Sequence, residues 1–126
     1  PTSNAMAFLA NQGIPFHTQQ ITLNGRDMIR FYCGAPHGLS TGEYVVLNMD
    51  NGQGTTYTLK DNTFPVYSIG DETRKSSETV FNLLFPQGTV VGFSTLPNFA
   101  MGTMKRQTNK ANPESISQYY VRVNKS

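Results

Sequence analysis

Several absences narrow what this chain can do. It has a single cysteine, Cys33, so neither an intrachain disulfide nor a two-cysteine metal site can be built. Tryptophan is missing altogether, and with it the aromatic most expected on a sugar-binding platform. Charged residues make up only 14% of the chain, against about 25% in an average domain, so the polar surface must come from Thr, Ser, Asn and Gln. Such a surface suits a protein that packs against other copies of itself, and it suits a sandwich or barrel with many turns. No apolar run reaches the ~18 residues of a spanning helix, so no membrane partner is expected. Met6-Ala7-Phe8-Leu9-Ala10 is too short and lacks the basic start of a secretory signal. Cytosolic or intracellular assembly is the expected setting. Ser3-Asn4-Ala5 before Met6 resembles the scar left by tag removal, and residues 1–5 are set aside.

What the chain does have is turn chemistry: 11 Gly and 7 Pro. Asn24-Gly25, Asn51-Gly52 and Asp61-Asn62 fall between β-rich runs, and Asn-Gly accepts the positive φ that a type I′ hairpin needs. Ile29, Phe31 and Cys33 alternate with Arg30 and Tyr32, the period of a half-buried strand. Strands are predicted over 20–23, 26–33, 44–49, 55–60, 64–69, 89–94, 102–108 and 117–124. The run 80–85 is short and apolar; it reads as a buried strand beside β-rich neighbours, or as one short helix capped by Ser76-Ser77-Glu78. The expected fold is an all-β, single-domain antiparallel β-sandwich or barrel of about seven to nine strands, with room for one short helix. Residues 6–18, with Phe8, Leu9 and Phe16, read as an N-terminal arm that packs on its own domain or reaches a neighbour; 19–126 form the β-domain.

No catalytic constellation emerges, so no enzyme activity and no cofactor are expected. Cys33 and His37 are separated by Gly34-Ala35-Pro36, and Cys33 lies in phase with the inward residues of its strand. Nearly all acidic residues fall in turns, where they cap amides or stay solvated. Asp71-Glu72 with Glu78 lacks calcium-loop spacing, and Gly52-Gln53-Gly54 lacks the third glycine and helix of a dinucleotide fingerprint. Residues 102–126 carry a local charge of +4, leaving −2 for the rest. Lys105, Arg106, Tyr120, Arg122 and Lys125 on a final antiparallel pair, together with Phe8, Leu9 and Phe16, form the candidate interaction surface.

The most distinctive stretch is His37-Gly38-Leu39-Ser40-Thr41-Gly42-Glu43-Tyr44-Val45. Its glycines permit tight turns, Leu39 plugs inward, and Gly42-Glu43 starts a strand. This pattern, Asn62–Gly70 and Gln118-Tyr119-Tyr120-Val121-Arg122 resemble segments of β-rich structural proteins of phages and large DNA viruses. The resemblance implies a virion or particle-assembly protein, acting through contacts with other copies of itself or other virion proteins. Its location would be the virion, or the host cytoplasm during assembly. Two other functions fit the residues: a nucleic-acid-binding β-barrel using the basic C-terminal pair, and a receptor- or carbohydrate-binding module.

Overall fold

The computed structural model describes residues 13–23, 25–60, 62–74, 77–85, 88–93, 100–107 and 118. They form one seven-stranded antiparallel sheet: β1 (Ile14–Leu23), β2 (Arg26–Cys33), β3 (Tyr44–Asp50), β4 (Thr63–Pro65), β5 (Ser68–Ile69), β6 (Val80–Leu83) and β7 (Met101–Gln107). The strand order is β4-β3-β7-β1-β2-β6-β5. The two edge strands are therefore consecutive in the chain, joined by Val66 and Tyr67 alone. That link forces the sheet to curl into a half-barrel. Val66 N–H donates to Glu43 at 2.7 Å, beside β3, and the very next amide, that of Tyr67, donates to Asn82 in β6 at 2.9 Å. The predicted strand 64–69 is thus two short strands, split where the backbone changes partner.

β1 and β2 pair down to Leu23 opposite Arg26, the register that the Asn-Gly turn calls for. Directly paired residues share a face, so Phe16 and Thr18 of β1 face inward with Cys33 and Phe31 of β2. The core is an aromatic stack built across strands. Phe31 meets Phe16 edge-on at 4.8 Å between ring centroids and lies flat on Phe81 at 4.8 Å. Phe85 contacts Phe31 and stacks on Phe64 at 4.6 Å. Val45, Leu47, Met49 and Met104 complete this interior.

Three sequence expectations are corrected. Ile14–Thr18 are not an arm: they begin β1, near the middle of the sheet between β7 and β2. Pro15 is tolerated there because the β1–β2 ladder begins only at Phe16. Its carbonyl accepts from Gly34 on that side, so its missing N–H costs the β7 side nothing. Residues 55–60 and 89–93 are not full strands. They touch through the single bridge Leu59–Val90, and Gly92 at φ 86° ends the extended run. β7 does not form the expected final hairpin along its first half, because β3 and β1 already occupy both edges over Met101–Met104. Of the two architectures expected, sandwich or barrel, the described residues form one antiparallel sheet curled into a half-barrel. The run 80–85 contains strand β6, the buried strand that its β-rich neighbours suggested, and not the short helix.

The outer face of β2 holds a second surprise. Arg30, expected to face solvent, is buried. Its Nε donates to Asn82 Oδ1 at 2.9 Å, and its two terminal nitrogens donate to the Glu72 carboxylate at 3.0 Å each. Asn82 Nδ2 in turn donates to Ser68 Oγ and the Gly70 carbonyl. This network pins the loop after β5 onto the sheet. Arg30's hydrogen bonds hold the Glu72 carboxyl below its ordinary range. The folded value lies below the unfolded one, so the pair stabilises the fold above the ordinary glutamate range and fades as the pH falls through it. The melting-temperature difference between wild type and Glu72→Gln is therefore expected to shrink between about pH 6 and pH 3; a difference constant with pH would contradict the ion pair.

Candidate interaction surface

The glycine-rich stretch at His37 is a structural corner. Leu39 N–H donates to His37 Nδ1 at 2.9 Å, so Nε2 carries the ring proton and donates to the Val80 carbonyl at 3.0 Å. The ring is buried and meets Phe81 edge-on. Gly38 and Gly42 take φ of 67° and 92°, a conformation that glycine adopts without strain. Leu39 is buried in the core, as its spacing predicted. Glu43 Oε1 accepts from Ser40 N–H at 2.7 Å and closes the turn before β3.

Both nitrogens of His37 are thus engaged by Leu39 and Val80. Cys33, at the end of β2, is half-buried, and that burial pushes its thiol up to about 12. At pH 8 the native thiol should react with iodoacetamide about a thousandfold more slowly than the unfolded chain, since only the thiolate attacks; equal rates would place Cys33 at the surface. Asp71 is a turn residue: its Oδ1 accepts from Thr73 N–H, Thr73 Oγ1 and Arg74 N–H.

The predicted surface residues separate. Phe16 is a correction: it packs on Phe31 in the core and cannot contact a partner. Lys105 is exposed on the outer face of β7, opposite Val46. Arg106 turns back on its own domain, donating to the Gly38 carbonyl at 3.0 Å and lying 3.6 Å from Glu43. An exposed pair of this kind is worth little in stability, but it takes Arg106 away from a basic patch. Phe8, Leu9, Tyr120, Arg122 and Lys125 lie outside the described residues.

The structure shows surface residues that the sequence did not single out. Val91, Phe93 and Met101 are large hydrophobes exposed by 49%, 46% and 41%. Phe93 leans edge-on against Tyr57 at 5.8 Å, and Val91 N–H donates to the Thr58 carbonyl. Val91 and Phe93 thus project from the turn at Gly92, alongside the 55–60 segment. Sequence periodicity had placed residues 89–94 in a strand, where alternate side chains would face the core; the turn at Gly92 ends that alternation. Met101 projects from β7, over Gly52. No helix among the described residues is long and apolar enough to cross a membrane. No family model, no curated protein and no solved structure matches this chain.

Proposed function

We propose that this protein is a structural component of a virus particle, working through protein–protein contacts rather than turnover. The observation that carries the reading is the exposure of Val91, Phe93 and Met101, because water-facing hydrophobes of this size gain free energy when a partner covers them. The low charge content points the same way, as does the resemblance of residues 37–45 to virion proteins. The sheet itself offers little edge for pairing, with edge strands of three and two residues. Contacts would then run through side chains on turns and on the outer face.

Sedimentation velocity over a range of concentrations tests this. The wild-type chain is expected to self-associate, and Val91→Ser with Phe93→Ser is expected to weaken that association by about tenfold or more while leaving the melting temperature nearly unchanged. A chain that stays monomeric at every concentration would overturn self-assembly.

A further inference from the structure

Asn51 and Gly52 lie in the tight loop by which β3 turns back along itself. Asn51 N–H donates to the Thr55 carbonyl at 3.0 Å, Asp50 bridges to Thr56, and Tyr57 N–H donates to the Met49 carbonyl at 2.9 Å. Among the described residues, Asn51 alone of the asparagines precedes a glycine. With no side chain on Gly52, its peptide nitrogen is open to approach. Two side chains are locked onto this loop. Asp50 Oδ1 accepts from Gly52 N–H at 2.7 Å. Asn51 Oδ1 accepts from Gln53 N–H at 2.8 Å and from Thr55 N–H at 3.2 Å. The Asn51 carboxamide nitrogen has no hydrogen bond to a described residue.

Asp and Asn often cap amides in turns, but here their bonds converge on the atoms of one reaction. The Gly52 nitrogen is the nucleophile nearest in sequence to the Asn51 side-chain carbonyl. Its proton already rests on the Asp50 carboxylate, the position of a general base. The oxygen of the carbonyl under attack is held by the Gln53 and Thr55 amides. Two N–H donors on that oxygen stabilise the negative charge that attack places there. The nitrogen that must leave is the one atom of the Asn51 carboxamide that the loop does not hold. Asn51 is half-buried, while Gly52, Gln53 and Gly54 are exposed, so water reaches the loop.

We infer that this loop is a self-modifying site, where the Gly52 nitrogen attacks the Asn51 side chain with Asp50 as base and converts Asn51 to aspartate or isoaspartate. Asp50 takes the proton from the Gly52 nitrogen as that nitrogen bonds to Asn51 Cγ. Charge builds on Oδ1 between the Gln53 and Thr55 amides. The bond from Cγ to the carboxamide nitrogen then breaks. That nitrogen takes the proton back from Asp50 and leaves as ammonia, which closes a succinimide ring. Solvent water opens the ring at one carbonyl to give aspartate and at the other to give isoaspartate. The site goes beyond the assembly reading and stands without it, since the reaction runs within one chain. Its product adds a negative charge beside exposed Met101, whose sulfur lies over Gly52 and whose strand position faces Asp50.

The test incubates the full chain at mildly alkaline pH, folded and in urea, and follows Asn51 by digestion and mass spectrometry with isoaspartate resolved from aspartate. Asn51 should convert about tenfold or more faster in the folded chain than in urea, because only the fold places the base and the two donors. Asp50→Asn keeps an oxygen for the Gly52 N–H but cannot take its proton. It should slow the folded chain's Asn51 conversion by about tenfold. Asn24, which also precedes a glycine, is the internal control, and its rate should not respond to Asp50→Asn. Conversion that is equal or slower in the folded chain would overturn the site, since the loop would then protect Asn51 instead of activating it; this comparison uses wild type and holds whether or not the variant folds. An Asn51 rate unchanged by Asp50→Asn would overturn the role of Asp50 as base.

Discussion

Gly102→Ala is expected to cost about 3 kcal/mol, toward the top of the range for overpacked interiors, and to lower the melting temperature by roughly 10 °C. Gly102 sits in β7 directly opposite Met49 of β3. A Cβ built there would run into the Asn48 carbonyl and crowd the Met49 Cα. These are backbone atoms of a paired strand and cannot rotate away as a side-chain tip would. The methyl group must therefore push β3 from β7, opening a ladder seven residues long inside the sheet. A glycine inside a strand often marks such a close approach. Gly34→Ala is the control. A Cβ at Gly34 meets Pro15 at an ordinary 3.4 Å, and the change should cost less than about 1 kcal/mol. Thermal denaturation of the two variants decides the point: similar losses would mean that the β3–β7 approach is not the cause.

Asn82→Leu should be nearly as damaging, at about 3 kcal/mol, by a different route. The side chain is 1% exposed and works in both directions. Its oxygen accepts from Arg30 Nε, and its nitrogen donates to Ser68 Oγ and the Gly70 carbonyl. Leucine has nearly the same size but none of these groups. Arg30 Nε, Ser68 Oγ and the Gly70 carbonyl are left without their partner, and each buried polar group so stranded costs about 1–3 kcal/mol, less where the site relaxes. The double variant Arg30→Met with Asn82→Leu should cost clearly less than the sum of the two single changes, because it removes the stranded donor together with its acceptor. Strict additivity in urea denaturation would show that the two side chains do not depend on each other.

Much of the sheet was legible locally. The inward alternation of Ile29 and Phe31, the Asn24-Gly25 turn, the start of β3 after Gly42-Glu43 and the inward plug of Leu39 follow from backbone preferences and side-chain period over fewer than ten residues. The burial of Arg30 was not legible, since its partners Glu72 and Asn82 lie 42 and 52 positions away. Ile14–Thr18 misled for the same reason. A short stretch holding Gly13 and Pro15 reads as an arm unless it is known that Met101–Met104 will pair with its first residues. For the candidate surface, composition pointed to the basic residues, yet Arg106 is held by Gly38 and Glu43. Exposed Val91 and Phe93 could not be told from core residues without knowing that the chain turns at Gly92.

The sequence by itself therefore determined the β class, the first hairpin, the corner at His37, the start of β3 and the inward residues Ile29 and Phe31 of β2, because turn geometry and the two-residue side-chain period are local. Tertiary structure alone decided three things. It curled the sheet, by passing one chain segment from β3 to β6 at Val66–Tyr67. It buried the polar network at Arg30. It also drew residues 58–60 away from β3 to bond to 89–91 instead. Each depends on which distant segment reaches a backbone edge first, and no short-range pattern carries that information.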